Sequence, residues 1–409
     1  MSGIASFPSA LRRQAPEPTY VRAYDAVLNE LCAELFTSLP RSDQRRKGMD
    51  YVRGLLEAKG RKSIRNIAAL SGGQATEQSL HHFVCSSTWD WAPVRRALAH
   101  YLVLDTPPHA WVVRPMVTPK AGEHSVGVDR RYSAALGQVL NAQQAVGVWA
   151  ATEDFSAPVN WRLHLSKAWI DDSDRRNRAS IPEDLDAETL GDCAVQAYLD
   201  MAHGWGLPVR PVVMDAREAD AMSTIGKLRA CGAPLLVRIN PSQPLTPADP
   251  TMAARATEPM AAHQIMMSIK DMRRPVMWSD HGPGTGMRTS LVAAIRVRVP
   301  FRPTRITGPQ RVARGGELVL LGEWDTGRSM PAELWLTDLT AVHPAALLRL
   351  SKLTRRVDRD FTQIADQVGI RDYAGRSFSG WHRHVTLASG AHTVAALSSV
   401  AEREMSYVS

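Results

Sequence analysis

Between residues 105 and 240 the apolar runs fall in an order that few folds accommodate. Three strand-like runs come first, "AWVV", "HSVGVDRRYSAAL" and "VLNAQQAVGVWAATE", joined by short turns as in an antiparallel meander, and "VNWRLHLS" extends the set. A long helix follows in "DLDAETLGDCAVQAYLDMAHGWG". Then come a buried strand ending in Asp215, "LPVRPVVMDA", a helix, "ADAMSTIGKLRACG", and a last strand, "APLLVRIN". Three strands, helix, strand, helix, strand is the order any fold for this chain must satisfy.

The flanks differ in texture. Residues 21–104 read as helical, with apolar residues at three- and four-residue spacing in "YVRAYDAVLNELCAELFTSL" and "RSDQRRKGMDYVRGLLEAKG". Gly60 is placed to end a helix and Ser63 to cap the next. In "SIRNIAALSGGQATEQSLHHFVCSSTWDW" a helix, a Gly72–Gly73 turn and a second helix from Thr76 follow closely. This is the pattern of a helix-turn-helix, and also of an ordinary helical hairpin. "PSQPLTPADPTMAARATEP" is Pro-rich and reads as an exposed linker. Strands in "TSLVAAIRVRVPF", "GELVLLGEWD" and "AELWLTDL" form a second β region, and the chain closes on helices. The organisation expected is a flexible tail at 1–20, a helical, DNA-binding domain at 21–104, and an α/β core beginning at 105–240. A linker and β-rich insertion fill 241–340, and helices at 341–409 complete the core. The fold class is α+β.

A chain of 409 residues supports two or three domains. No window holds eighteen uninterrupted apolar residues, so no membrane span is expected. The N-terminal twenty residues read as a loose, Pro-bearing tail rather than a signal peptide. Cys32, Cys85, Cys193 and Cys231 are far apart and form no CxxC pair, which speaks against the usual zinc spacing and suits reduced thiols in a cytoplasm. The net charge of +8 is unevenly placed. Arg41, Arg45, Arg46, Lys47, Arg53, Lys59, Arg61, Lys62 and Arg65 crowd one stretch, and Arg349, Lys352, Arg355, Arg356 and Arg359 another. Two such clusters suggest a polyanion footprint, although each alone is commonly a solvated face.

The stretch "HAWVVRPMVTPKAGEHSVGVDRRY" is unusual, because its first strand reads as ending in Arg114–Pro115–Met116, a place where many α/β enzymes hold a carboxylate. Its segment "HSVGVDRRY", together with "VNWRLHLSKAW", "IPED", "PVVMDA", "AELWLTDL" and above all "DYAGRSFSGWHRHVTL", resembles the DDE transposases of bacterial insertion sequences with a ribonuclease-H-like core. The matching stretches run in family order from about residue 40 to 400.

What the resemblance implies is two-metal phosphodiester chemistry. Two Mg²⁺ ions about 3.5–4 Å apart clamp the attacking and leaving oxygens, held by three carboxylates because hard cations take oxygen ligands. The first acid of the family falls on Arg114, with Pro115 and Met116 beside it. The Pro119–Lys120 turn survives. The second acid is Asp215, followed here by Ala216, Arg217 and Glu218 where the family has a small, Gly-bearing turn. The third, a Glu in the family, falls on Asp358 in "VDRDF", and the Lys seven positions on is Ala365. The first acid is therefore missing. Arginine stays protonated and repels metal, so the expectation is an Arg114–Asp215 contact in place of the metals. Asp129 on the neighbouring strand is the candidate replacement acid; Asp105 would need a reaching loop.

The resemblance also implies a double-stranded DNA partner, no membrane, and room for a homodimer. The DNA-binding residues it suggests are Arg45, Arg46, Lys47, Arg61, Lys62, Arg65, Gln78, His81 and His82, and in the last motif Arg376, His382 and Arg383. Trp381 reads as a packing anchor, and His382 and His384, two residues apart, as packing or phosphate contacts rather than metal ligands. No metal site and no cofactor are expected, Mg²⁺ only if cleavage survives. Cleavage-defective DNA binding in the cytoplasm, at the nucleoid, is the reading favoured, with a regulatory or architectural role. The alternatives are an active transposase, and a cleft of Arg114, His124, Asp215 and Asp358 reused for an anionic small molecule. A decaying gene product is disfavoured because the changes concentrate at the catalytic positions.

Overall fold

The computed structural model describes residues 19–70, 74–133, 137–249, 258–280, 286–299 and 316–408. The Gly72–Gly73 turn and residues 1–18 of the expected tail lie outside these. Helices α1 (Thr19–Leu35), α2 (Ser42–Glu57), α3 (Ile64–Ala69), α4 (Gln74–His81) and α5 (Trp91–Asp105) form the N-terminal third. Ser63 caps α3, its Oγ accepting from Asn66 N at 3.2 Å. Gly60 takes φ +67° in the link between α2 and α3, a backbone shape that glycine adopts without strain. A π-type turn, His82–Ser86, extends α4.

The core strands are β1 (Ala110–Pro119), β2 (Val128–Ser133), β3 (Gln138–Ala151), β4 (Ser156–Leu163), β5 (Val212–Asp215) and β6 (Leu235–Arg238). Short helices α6 (Lys167–Ile170) and α7 (Ser173–Ala179) precede α8 (Leu190–Ala202), which leads to β5, and α9 (Ala221–Ala230) leads to β6. β1 pairs antiparallel with β3, β3 antiparallel with β4, and β1, β5 and β6 run parallel. Three antiparallel strands followed by two helix-linked parallel strands make the ribonuclease-H-like core that the motifs implied. β2 is an added strand on the first half of β3.

The insertion is not a separate β region. Its strands are β7 (Pro244–Pro247), β8 (Met260–Ala261), β9 (Arg274–Ser279), β10 (Met287–Arg298), β11 (Leu318–Trp324) and β12 (Glu333–Thr337). β12 pairs antiparallel with β6, so the core sheet continues through β11 and β10 into a single twelve-stranded sheet among the described residues. Part of the Pro-rich stretch expected as an exposed linker is β7, which pairs with β10 and buries Leu245 completely. Its prolines sit at the two ends of a four-residue strand, where a missing N–H costs least. α10 (Ala262–Ser268) follows β8.

Two C-terminal helices bind the parts together. α11 (Pro344–Asp360) crosses the core strands and runs into a π-type turn, Phe361–Ala365. α12 (Phe378–Val408) is buried on every side from Gly380 to Val394, because it lies between β4 and the N-terminal helices α1, α2 and α5. A helix apolar all round has to be enclosed. Several of its polar residues are paired inside the core. His384 Nδ1 meets the Tyr51 hydroxyl at 3.0 Å, and Trp161 Nε1 donates to Ser389 Oγ at 2.9 Å. The helical N-terminal region therefore shares one continuous core with the sheet. No described helix is long and apolar enough to cross a membrane.

Candidate functional site

The site begins with a divergence of two strands. β1 and β5 pair in parallel only at Trp111–Val113 with Val212–Met214. The next row would set Arg114 beside Asp215, and there the pairing stops. β1 itself does not end at Arg114 as its sequence suggested. It runs on to Pro119, because its other edge stays paired with β3 through Pro119 and Ala142. Arg114 thus lies mid-strand, at the point where one neighbour leaves. Opposite it on β3 is Gly147, where a Cβ would come within 2.8 Å of the Trp161 ring.

The opening is a cleft of about 460 Å³. Arg114, Asp215 and Asp358 all line it, so β1, β5 and the last turn of α11 bring the three family positions together. The expected Arg114–Asp215 contact is not the one formed. Arg114 Nε donates to Asp358 Oδ1 at 2.7 Å and Nη1 to Pro115 O at 3.0 Å, while the guanidinium lies 3.7 Å over the Phe361 ring centroid. Asp215 is held by its own turn. Arg217 Nε donates to both of its oxygens at 3.0 Å, Arg217 Nη2 to Oδ2 at 2.7 Å, and the Arg217 amide to Oδ1 at 3.0 Å. With Asp215 taken by its near neighbour, Arg114 pairs with the helix. Bonding to the Asp215 carboxylate holds the Arg217 guanidinium above its ordinary pKa.

Behind Asp215 the charges continue inward. Arg238 Nη1 is 3.5 Å from Asp215 Oδ2, and its Nη2 is 3.5 Å from Glu333. Arg355 also pairs with Glu333, at 3.1 Å, and buried Lys352 pairs with buried Glu323. Burial works to raise the Glu333 carboxyl, but Lys352, Arg238 and Arg355 together hold it below the usual range. These residues account for much of the C-terminal basic cluster. Arg356 is bonded to Asp360 at 2.9 Å and Arg359 to Asp280. Four of the five cations are therefore neutralised internally, and only Arg349 stands exposed without an ion pair among the described residues.

The residues present do not fit a pair of Mg²⁺ ions. Arg114, Arg217 and Arg238 face Asp215, Glu218 and Asp358 around the cleft, which leaves it without net charge. Asp215 has guanidinium donors on both oxygens, and Asp358 has one on Oδ1. Among the described residues no three His, Cys, Asp or Glu side chains stand close enough to hold a metal ion. Asp129 does not repair this. It pairs with Ala142, which pairs with Pro119, five residues along β1 from Arg114. That is about 17 Å at the rise of a strand.

The family model of a DDE superfamily endonuclease matches residues 34–298, most of the chain, a span that includes Arg114 and Asp215. The chain belongs to this DDE superfamily. Among solved structures, the cryo-EM structure of a piggyBac transposase synaptic complex with hairpin DNA aligns with it at 11% identity and a TM-score of 0.40, covering 94% of this chain and 76% of that one. A comparison with curated proteins returns no match.

Not every residue proposed to touch DNA is placed to do so in this DDE-superfamily chain. Arg45, Arg46, Arg61, Arg65, Gln78, His81, His82 and Arg376 are exposed. Arg45 also donates to Leu39 O at 2.6 Å, and Lys47, half-buried, lies 3.5 Å from Asp43. Three are corrections. Lys62 is 6% exposed, with Nζ turned to Ala58 O and its amide on Asp372. Arg383 is buried and ties α12 to the N-terminal helices through Trp89 O at 3.0 Å and Val84 O at 3.2 Å. His382 is buried, stacked on Trp91 and bonded to Arg95. Burial and the Arg95 charge press its imidazole well below the usual range, so it is neutral.

Sequence reasoning missed Arg95, which organises this region. It is 2% exposed and donates to Thr386 Oγ1, Asn160 Oδ1, Trp161 O, His382 Nδ1 and His382 O at 2.7–3.1 Å. Burial pulls it down to about 9, although Asp90 and Asp200 work to raise it. A signal was present in "WAPVRRALAHYLVLD", where Arg95 stands on the same helical face as Val94, Leu98 and Leu102.

Proposed function

We propose that this chain binds double-stranded DNA and has given up two-metal strand cleavage, which makes it a regulatory or architectural member of its superfamily. The observation that carries the reading is the Arg114–Asp358 pair at 2.7 Å. A guanidinium stands where the resemblance puts the first metal ligand, and it occupies the third. Arginine keeps its proton at any working pH, so it opposes a dication permanently. The second acid, Asp215, is likewise occupied by Arg217.

DNA binding rests on the family and on the exposed N-terminal cations Arg45, Arg46, Arg61 and Arg65, with Gln78, His81 and His82 on the adjoining helix for groove contacts. Phosphate contacts by such residues release counterions, so affinity should fall steeply with salt. The alternative of an active enzyme would need another acid in the cleft, and the register of Asp129 speaks against that residue.

The test pairs duplex binding with plasmid nicking, in Mg²⁺ and in Mn²⁺. Salt-dependent binding without metal, and no nicking, is the expected result. Metal-dependent nicking lost in Asp215→Ala would establish the active enzyme instead.

A further inference from the structure

A second cavity, of about 330 Å³, shares no lining residue with the cleft of Arg114. β4, the loop before α8, α5 and the start of α12 enclose it. Trp91, Trp205 and Phe378 give it aromatic walls. Its charge is opposite to that of the chain as a whole. Arg162 is consumed by Glu188 at 2.9 Å and Asp200 at 3.1 Å. That leaves Asp184 and Asp186, both exposed and lining the cavity, with no ion-pair or hydrogen-bond partner among the described residues.

The inner side carries a donor that no described protein group meets. An arginine can only donate, so the 3.0 Å contact from Arg95 Nη2 makes His382 Nδ1 an acceptor and puts the imidazole proton on Nε2. His382 is 5% exposed and lines the cavity, and its Nε2 has no hydrogen-bond partner among the described residues. The ring is fixed in place, stacked on Trp91 at 4.7 Å and 8° and edge-on to Phe378 at 4.4 Å. The cavity therefore presents a neutral N–H donor at depth, flat aromatic faces between, and free carboxylates at the open side.

We propose that this cavity binds a small arylalkyl amine. Its ammonium would sit between Asp184 and Asp186, its ring against Trp91, Trp205 and Phe378, and an acceptor atom on the ring would accept a hydrogen bond from His382 Nε2–H. Aromatic faces favour cations as well as flat apolar bodies. The unpaired carboxylates exclude anions, nucleotides and DNA phosphates among them. The site stands independently of the reading of the cleft.

Tyramine is a suitable probe, because 4-hydroxyphenylacetate keeps its ring and hydroxyl and reverses its charge. Calorimetry on the full chain should show tyramine binding about tenfold or more tighter than the carboxylate. The double variant D184N/D186N should lose most of that preference while keeping the wild-type circular dichroism and Tm, since both side chains are exposed. No binding of tyramine, equal binding of the two probes, or an unchanged preference in the folded double variant would each overturn the assignment.

Discussion

Arg114 on β1 and Asp358 on α11 are 244 residues apart in sequence and 2.7 Å apart in space. The pair links β1 to α11 at the cleft where β1 and β5 diverge, and it is exposed on the helix side, with the Asp358 side chain 64% accessible. Such a pair fixes geometry more than it stabilises. Asp358→Asn should change unfolding free energy by less than about 1 kcal/mol, the scale of exposed ion pairs. Urea denaturation checks this, and a much larger loss would mean that the contact is structural.

Arg95 should behave in the opposite way. Its five hydrogen bonds lie inside the core, and removing the guanidinium leaves Asn160, Thr386 and His382 without it. Arg95→Ala should cost about 3–5 kcal/mol, as expected when several buried acceptors lose their donor and a buried side chain is removed. A loss below about 1 kcal/mol in urea unfolding would contradict the role given to it.

The buried histidines set an acid limit. Burial lowers His384 to about 4, with Lys120 adding to the effect against its bond to Gly369 O, and burial also lowers His392. Folded, these rings stay neutral where the unfolded chain protonates at about 6.5. Between those values the unfolded state binds more protons, so their contribution to stability is full above about pH 6.5 and is lost as pH falls toward 4. The Tm should fall steadily from about pH 7 to about pH 5, and less so in His384→Gln after allowing for its lower starting value. A flat profile in wild type would refute the assignment.

The exposed N-terminal cations and the buried Lys62 separate a binding face from a structural one. Arg61→Ala and Arg65→Ala should each weaken duplex binding and reduce the slope of log affinity against log salt by about one. Lys62→Met should leave that slope alone. Fluorescence anisotropy across a salt series decides, and a slope that falls for Lys62 but not for the arginines would remove the proposed face.

The core was legible because its strands and helices carry strong, uninterrupted patterns, as in "VLNAQQAVGVWAATE" and "PVVMDA". Ser63 was legible as a cap because the chemistry is local. Less visible were features decided by partners. β1 runs past Arg114 because β3 holds it, and no local signal in "RPMVTP" says so. β7 lies in the Pro-rich run and β8 just after it, and their pairing with β10 and with one another depends on distant residues. The three cleft positions could be placed through the family motifs. The choice of Arg114 for Asp358 over Asp215 could not, since it follows from Arg217 reaching Asp215 first. The motif "GRSFSGWHRHVTL" was legible as important and misread in role. His382 and Arg383 face the core because α12 is enclosed by helices more than two hundred residues earlier in the chain.

The most direct test of the central claim is a calorimetric titration of Mn²⁺ into wild type and into Arg114→Asp. Wild type should show no stoichiometric binding, and the variant should bind, because the new carboxylate would join Asp358 once the arginine is gone. Stoichiometric Mn²⁺ binding by the wild-type chain, abolished by Asp215→Ala, would contradict it.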